Sequence, residues 1–236
     1  MAIRSDAAMV LFYDVEGAPA DHDGWHSHEH LHERLSIPGF LRATRWVATD
    51  GGPRNFVTYE VTGTDVATSP AYLARLNAPT GWTGAIMPRF RGMIRGFCSV
   101  LASRGYGLGA RACVVRFLPL PGQEDRVAAE IADRIDGMAY RTGIASVQVM
   151  RPEAPPPMTR EQALRGADRA LPWLILATGY DADRLDAATR QVTAAVRDLL
   201  QEATMHGYAL DHTATAEEVA RTPRPAVTGP GGDPAG

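Results

Sequence analysis

Lysine is missing from this sequence of 236 residues, because all 24 residues of its Lys+Arg count are arginine. The absence excludes a Schiff-base lysine, a lysine general base and the lysine of a P-loop nucleotide site. Cysteine is scarce as well, since Cys98 and Cys113 are the two in the chain. Two cysteines cannot form a disulfide framework, so we expect both to pack as small apolar side chains in a cytoplasmic protein.

The sequence also lacks an excess of basic charge and a long apolar run. Its net charge is −3, so we expect no binding to nucleic acid. No apolar run reaches the roughly 18 residues that a transmembrane helix needs, so we expect no contact with a membrane. The first six residues have no feature of a signal peptide. Hydrophobic residues make up 45% of the chain and charged residues 22%, which is typical of a globular protein.

Strand-like and helix-like segments alternate in the order β-α-β-β-α-β, and this order occurs twice along the chain. In the first set, strands are predicted at 9–15, 40–49, 54–62 and 91–103, and helices at 23–36 and 69–77. In the second set, strands are predicted at 110–120, 143–150, 173–180 and 207–213, and helices at 124–136, 159–167 and 183–204. The pattern indicates an internal duplication of architecture.

The duplicated order predicts an α+β fold made of two tandem ferredoxin-like units. Each unit leaves one face of its sheet uncovered, and two such faces packed together form a barrel-like core, either within one chain or between two chains. We therefore expect a barrel-like core and a homodimer. The predicted units are 1–108, which holds the site, and 109–215. Residues 216–236, rich in Gly and Pro, are predicted to be a disordered tail.

Five of the seven histidines fall between positions 22 and 32, on the first predicted helix. At 100° per residue, His28 and His32 share a stripe with Trp25, while His30 and Glu29 lie on the remaining faces. His28 to His32 also matches H-E-x-x-H, the motif in which two histidines hold zinc. A catalytic zinc needs a third protein ligand, and no signature for one follows. We therefore expect no metal, with His28 and His32 as the candidates if one binds.

No cofactor is expected either. The sequence has no Gly-rich fingerprint between a strand and a helix, which argues against a nicotinamide or flavin dinucleotide. Gly105, Gly107 and Gly109 precede a predicted strand, so they are predicted to form the turn that joins the two units.

The stretch Trp25-x-x-x-Glu29-His30-Leu31-x-x-Arg34-Leu35-x-x-Pro38-Gly39-Phe40-Leu41-x-x-x-Arg45 resembles a helix-to-strand signature of the dimeric α/β-barrel superfamily, close to its EthD-like group. The resemblance covers roughly residues 9–105, and the second half agrees in architecture only. It implies a ferredoxin-like fold. The superfamily includes lactone isomerases, polyketide cyclases, cofactor-free oxygenases, haem-degrading enzymes and dehydratases, so membership does not select one reaction.

His30 is the predicted catalytic residue, because an imidazole can serve as both acid and base near neutral pH. Glu29 is predicted to act with it. Arg34 and Arg45 are candidates for binding a carboxylate or enolate, and Trp25, Tyr13 and Trp82 for an aromatic wall around a flat substrate. The alternative for Glu29, His30 and Arg34 is structural, namely fastening the helix to a strand or to a partner subunit.

Three functions remain open at this point. The first is a cofactor-independent isomerase, cyclase or lyase that acts on a planar, carbonyl-bearing or aromatic small-molecule substrate. The second is a non-catalytic binding or scaffold protein that uses the same pocket. The third is a metal- or haem-dependent oxygenase that uses the additional histidines.

Overall fold

The structure is a computed structural model that describes residues 5–222. The main strands of the first repeat are β1 (Ala7–Val15), β2 (Phe40–Ala48), β3 (Asn55–Val61) and β4 (Phe90–Gly105). Those of the second repeat are β5 (Arg111–Pro119), β6 (Ile144–Pro152), β8 (Trp173–Gly179) and β9 (Leu200–Thr215). A short strand, β7 (Arg169–Ala170), runs parallel to β4.

The helices lie between these strands. Those of the first repeat are α1 (Pro19–Trp25), a π turn (His26–His30), α2 (Leu31–Leu35), α3 (Pro70–Leu76) and α4 (Gly81–Ile86). Those of the second repeat are α5 (Glu124–Met138), α6 (Arg160–Ala163), α7 (Ala182–Ala195) and α8 (Ala216–Arg221). None of the helices within residues 5–222 is long and apolar enough to cross a membrane.

The strands of both repeats close one antiparallel barrel within the chain. Each repeat has the strand order of a ferredoxin-like unit, β4-β1-β3-β2 and β6-β8-β5-β9. The two sheets join where β2 pairs with β9 and where β4 pairs with β6. The predicted α+β fold with a barrel-type core is thereby confirmed, and no second chain is needed to close the barrel. The homodimer stays a prediction.

Alternate residues of each strand face two different cores. In β1, Val10 and Phe12 belong to the barrel interior, to which all eight barrel strands of the described chain contribute. Leu11 and Tyr13, on the opposite face, pack under the helices of the first repeat. A third core lies between the sheet and the helices of the second repeat. The outer layer of the first repeat is the one that holds the candidate site.

The predicted boundary after residue 108 falls in the turn between β4 and β5, where Gly105 and Gly107 have φ values of 86° and 64°. Because the barrel contains strands of both repeats, the division into separate units stays a prediction. Both cysteines are buried in strands, as expected, and burial raises the pKa of each thiol to about 12.

The structure differs from the predicted elements at the C-terminal end. The helix predicted at 183–204 ends at Ala195, and β9 begins at Leu200 instead of 207. Residues 200–204 have good helix-forming side chains, but they pair with β5, and tertiary pairing outweighs local propensity there. The first six residues of the predicted tail form α8, which begins with a capping box between Thr215 and Glu218. The rest of that tail, from residue 223, lies outside the described residues.

Candidate functional site

The candidate site is a cavity in the first repeat, between the outer face of the sheet and the helix of residues 19–35, here called the first helix. Its open volume is about 20 Å³, enough for one water molecule. The side chains around this site cavity come from both repeats: Met9, Leu11, Tyr13, Trp25, His26, His30, Arg34, Val57, Tyr59, Tyr72, Leu76, Met87, Phe90, Met93, Arg95, Glu161, Gln162 and Arg165.

A π turn in the first helix decides which histidines face the cavity. The helix begins at Pro19, a residue favoured in a first helical turn, and not at Asp23 as predicted. At its middle, the amide of Leu31 donates to the carbonyl of His26, five residues back. A π turn shifts the faces of a helix relative to 100° per residue, and such turns are frequent at functional sites. The wheel predicted from the sequence therefore assigns several histidines to the wrong face.

His22, His26 and His30 form a row along the buried side of the first helix, here called the histidine ladder. Their side chains are 1%, 1% and 6% exposed. Neighbouring ring centroids lie 5.6 and 5.7 Å apart. Nε2 of His22 lies 3.0 Å from the hydroxyl of Tyr13, and Nε2 of His26 lies 3.3 Å from that of Tyr59. The ladder thus runs alongside two phenols at the sheet surface.

His30 completes the ladder at the cavity. Its ring packs on Trp25, with centroids 4.3 Å apart. Burial, followed by the charge of Arg34, lowers the pKa of His30 well below its usual value, and burial does the same for His26. Nδ1 of each of these two rings is buried and has no hydrogen-bond partner among the described residues. The site therefore holds neutral imidazoles at neutral pH.

Three arginines give the cavity a positive charge. Arg34 pairs with Glu161, and both side chains are buried. Burial alone would lower the pKa of Arg34, but the carboxylate of Glu161 outweighs it and raises that pKa. Arg165 forms a two-point contact of 2.9 Å with Asp168, and Arg95 lies 3.7 Å from the same carboxylate. Three guanidinium groups thus face two carboxylates.

The phenols at the sheet surface are protonated. Burial raises the pKa of Tyr13 and of Tyr59 well above the usual value. The hydroxyl of Tyr72 accepts a hydrogen bond from Arg95. A proton leaving a substrate in this cavity would therefore meet neutral imidazoles and phenols, with positive charge beside them.

The cavity is closed by residues 153–171 of the second repeat, here called the strap. The strap carries α6 across the first repeat, and the amide of Arg160 donates to the side chain of Asn77 at 3.0 Å. A capping box between Thr159 and Gln162 begins α6. The strap then pairs with β4 through β7. Local sequence patterns could not assign the strap to this site, because it contacts the first repeat only through the tertiary fold.

A second and larger cavity, of about 480 Å³, lies beneath the strap. It is lined by Gly96 of β4, by prolines of the strap and by Leu171. Arg95 and Gln162 line this strap cavity and the site cavity alike. The two spaces therefore adjoin at Arg95 and Gln162.

Four of the predicted site residues line the site cavity: His30, Trp25, Tyr13 and Arg34. The predicted structural role of Arg34 also has a counterpart in the structure, since its ion pair with Glu161 fastens the helix to the strap.

The structure does not bring Glu29, Arg45 and Trp82 to the lining of the cavity. Glu29 is buried and accepts from Thr83 at 3.3 Å, which fastens the first helix to α4. Arg45 donates to Asp211 at 2.7 Å and to the hydroxyl of Ser27 at 3.1 Å, so it joins the first helix to β2 and β9. Trp82 packs against the edge of the outer core.

The two histidines considered for zinc lie away from the cavity lining. His28 is exposed and His32 is half-buried. Within residues 5–222, no group of three or more His, Cys, Asp or Glu side chains is arranged to hold a metal ion. The absence of zinc therefore stays a prediction.

The sequence analysis assigned no role to several residues at or beside the cavity, among them His22 and His26 of the ladder and Tyr59. The signal was present in the spacing, because His22, His26 and His30 recur every four residues. It depends on a helix that starts at Pro19 and contains a π turn. A helix started at Asp23 leaves the first histidine outside.

No protein-family model and no curated protein matches the sequence, so solved structures supply the comparison. An anthrone oxidase-like protein superposes with a TM-score of 0.62 at 12% identity, over 92% of this chain and 96% of that one. A candidate monooxygenase of Fusobacterium nucleatum gives 0.61 at 8% identity, over 90% and 96%. One of Lactobacillus acidophilus gives 0.58 at 9%, over 89% and 96%. These likenesses establish a shared ferredoxin-like barrel fold, and closeness to the EthD-like group stays a prediction.

Proposed function

We propose that this protein is a cofactor-independent enzyme that removes a proton from a flat, carbonyl-bearing or phenolic small molecule, with His30 as general acid and base. The observation that carries the proposal is a neutral imidazole in a buried cavity lined by guanidinium groups. Isomerases, cyclases and lyases of this kind share a first step, in which a C–H or O–H bond breaks and an enolate or phenolate forms.

A neutral His30 is in the correct form to accept that proton. Burial, followed by the neighbouring Arg34 and His26, lowers its pKa, and its Nδ1 has no competing hydrogen bond among the described residues. The same imidazolium can return the proton to another carbon, which completes an isomerisation without any other reactant.

The guanidinium groups would stabilise the anion that forms. Positive charge held in place within a low-dielectric cavity stabilises a developing enolate more than water does. Arg34 and Arg95 line the cavity at opposite sides, on the first helix and on β4. Trp25 and Tyr13 supply flat apolar surfaces for the ring system of the substrate.

The site cavity must enlarge before an organic substrate can enter, since about 20 Å³ holds only water. The strap cavity, at about 480 Å³, is within the range of small-molecule sites. Movement of Gln162 and Arg95 would join the two spaces. The proposed substrate therefore reaches His30 with its reacting end and occupies the strap cavity with the remainder.

The remaining predicted site residues take positioning roles in this proposal. Glu29 and Arg45 hold the first helix against α4 and against the strands, so that the ladder keeps its distance from the sheet. Trp82 packs at the edge of the same layer. A cytoplasmic homodimer remains part of the proposal as predicted from the sequence.

The names of the structural neighbours favour a second reaction that starts with the same anion. Two are candidate monooxygenases and one is anthrone oxidase-like. If dioxygen attacks the enolate of anthrone, one oxygen atom enters the ring carbon and the other leaves as water, which gives anthraquinone. The oxygenase and isomerase alternatives therefore differ after proton removal and not before it.

Proton removal can be measured alone with anthrone in D₂O under argon, by following loss of its methylene signal in the NMR spectrum. His30→Gln keeps a polar side chain of similar size against Trp25, so the fold should be retained. Because a positioned general base contributes about 10²- to 10⁴-fold, we expect the catalysed exchange to fall by that factor. Admitting air then shows, by the absorbance of anthraquinone, whether the oxygenase reaction follows.

His28→Gln and His206→Gln are the matched controls, because both histidines lie outside the cavity lining. Exchange that is equally fast in His30→Gln would refute the role of His30. Binding of anthrone without any catalysed exchange would favour the non-catalytic binding protein. A Soret band or stoichiometric metal in active preparations would favour the metal or haem alternative.

A further inference from the structure

The ion pair between Arg34 and Glu161 is incomplete. The two side chains are 3% and 2% exposed, and one guanidinium nitrogen contacts one carboxylate oxygen. The second terminal nitrogen of the guanidinium (Nη1 of Arg34) and the second oxygen of the carboxylate (Oε2 of Glu161) are buried without a hydrogen-bond partner within the described part of the chain. Both residues line the site cavity.

Such a pair is poorly suited to a purely structural role. Guanidinium and carboxylate groups usually meet through two parallel hydrogen bonds, and a buried pair offsets its desolvation only when its remaining donors and acceptors are satisfied. Here one donor and one acceptor are left without a partner. A ligand that brings an anionic group to Arg34 would satisfy the free donor.

We propose that the substrate of this site carries a carboxylate or an equally acidic oxygen group, which binds Arg34 and displaces Glu161. This inference rests on the proposed function for the position of the ligand, and it adds the substrate class. Glu161 occupies Arg34 when the site is empty and so holds α6 of the strap over the cavity. When the anionic group of the ligand replaces Glu161, α6 is released and the site cavity opens toward the strap cavity.

A second pair on the same helix provides the comparison. Glu33 and Arg75 also form an ion pair in which each partner leaves one buried atom without a partner among the described residues. Arg75, however, is 28% exposed, and neither residue lines the site cavity. Because this pair lies outside the lining of the site cavity, its neutralisation should not alter ligand binding.

The test uses 2-naphthoate and its uncharged analogue 2-naphthamide as probes, with binding measured by calorimetry on the full chain. We expect naphthoate to bind Glu161→Gln about tenfold more tightly than the unaltered protein, because the competing carboxylate is gone, while naphthamide is unaffected. Arg34→Gln should lose the preference for naphthoate. Arg34→Lys keeps the charge without the fork and should retain a part of it. Glu33→Gln is the matched control and should behave as the unaltered protein.

Release of the strap has its own readout, hydrogen exchange at the amides of 160–164. Exchange there should become faster when naphthoate is added to the unaltered protein. Equal binding of the two probes, equal naphthoate affinity in Glu161→Gln, or no binding to any variant would overturn the proposal. Slower or unchanged strap exchange in the complex would overturn the displacement of Glu161. These measurements need no turnover, so they are independent of the test of His30. The binding results can contradict this proposal while His30 remains essential for anthrone exchange, and they can support it while His30 proves dispensable.

Discussion

In the second repeat, α5 turns Val127, Ile131 and Ile135 toward its sheet, spaced four residues apart. The first helix presents the histidine ladder to the first sheet at the same spacing. Because both repeats have the same strand order and both layers are buried, the difference lies in chemistry and not in architecture. The helix–sheet layer of the second repeat is mainly aliphatic, whereas that of the first repeat combines apolar side chains with the buried imidazoles of the ladder.

The comparison shows how a duplicated fold can separate stability from function. Aliphatic packing stabilises without a requirement for partners, whereas a buried imidazole or guanidinium is costly unless it is hydrogen-bonded. The barrel interior contains a further apolar cluster, to which both repeats contribute side chains. The barrel and the second repeat can therefore support a first repeat whose outer layer has unpartnered polar atoms.

The largest expected difference between the repeats is in the cost of truncation. Ile131→Ala should lower the free energy of unfolding by about 2–5 kcal/mol, because it leaves a cavity in a fully buried aliphatic layer. His26→Ala should cost less at neutral pH, since it also removes a buried nitrogen that has no partner within residues 5–222. Urea denaturation of both variants measures the difference. Equal losses would show that the two layers contribute alike to stability.

The next difference is in pH dependence. Burial lowers the pKa of His22, His26 and His30 in the folded chain, while the unfolded chain titrates near 6.5. Below that pH the unfolded chain binds protons that the folded chain does not. The free energy of unfolding is therefore highest near neutral pH with respect to these groups, and it falls on acidification. Each histidine lowers the free energy of unfolding by up to about 1.4 kcal/mol for each pH unit below 6.5. Asp23 opposes the shift at His22, which should contribute least.

The contribution of the ladder to this pH dependence can be measured with the double variant His26→Leu/His30→Leu. Its urea midpoint should change much less between pH 7 and pH 5.5 than that of the unaltered protein. If the urea midpoint of the double variant changes with pH as much as that of the unaltered protein, the acid sensitivity belongs to groups outside the ladder. One such group is the half-buried His212, whose pKa is also lowered by burial.

The sequence predicted the fold well because period and order are local signals. The two β-α-β-β-α-β sets and the turn at Gly105 are predicted from the alternation of apolar and polar residues in strands and from the Gly and Pro residues that mark turns. The start of β9 at Leu200 was not, since it depends on pairing with β5. Closure within one chain was equally unreadable, because the alternation of a strand is the same in an intramolecular and an intermolecular barrel.

The candidate site was predicted in part, for a similar reason. His30, Trp25, Tyr13 and Arg34 line the cavity because the first helix packs on a sheet, and their functional roles stay predictions. Glu161 was missed because it reaches the site through the strap, some 127 positions along the chain from Arg34. Long-range contacts of this kind leave no local pattern in the sequence.

The smallest expected effect concerns zinc and the literal H-E-x-x-H stretch. The ladder faces the sheet, while His28 is exposed and His32 is half-buried. Within residues 5–222 they belong to no group of three possible ligands, and zinc sites require at least three protein ligands. We therefore expect no stoichiometric zinc in protein freed of affinity-column metal, and His28→Ala/His32→Ala should leave both stability and anthrone exchange nearly unchanged. One zinc per chain by elemental analysis, lost in that double variant, would show instead that the outer face of the first helix is a metal site. The first helix would then differ from α5 on its solvent-facing side as well as on its buried side.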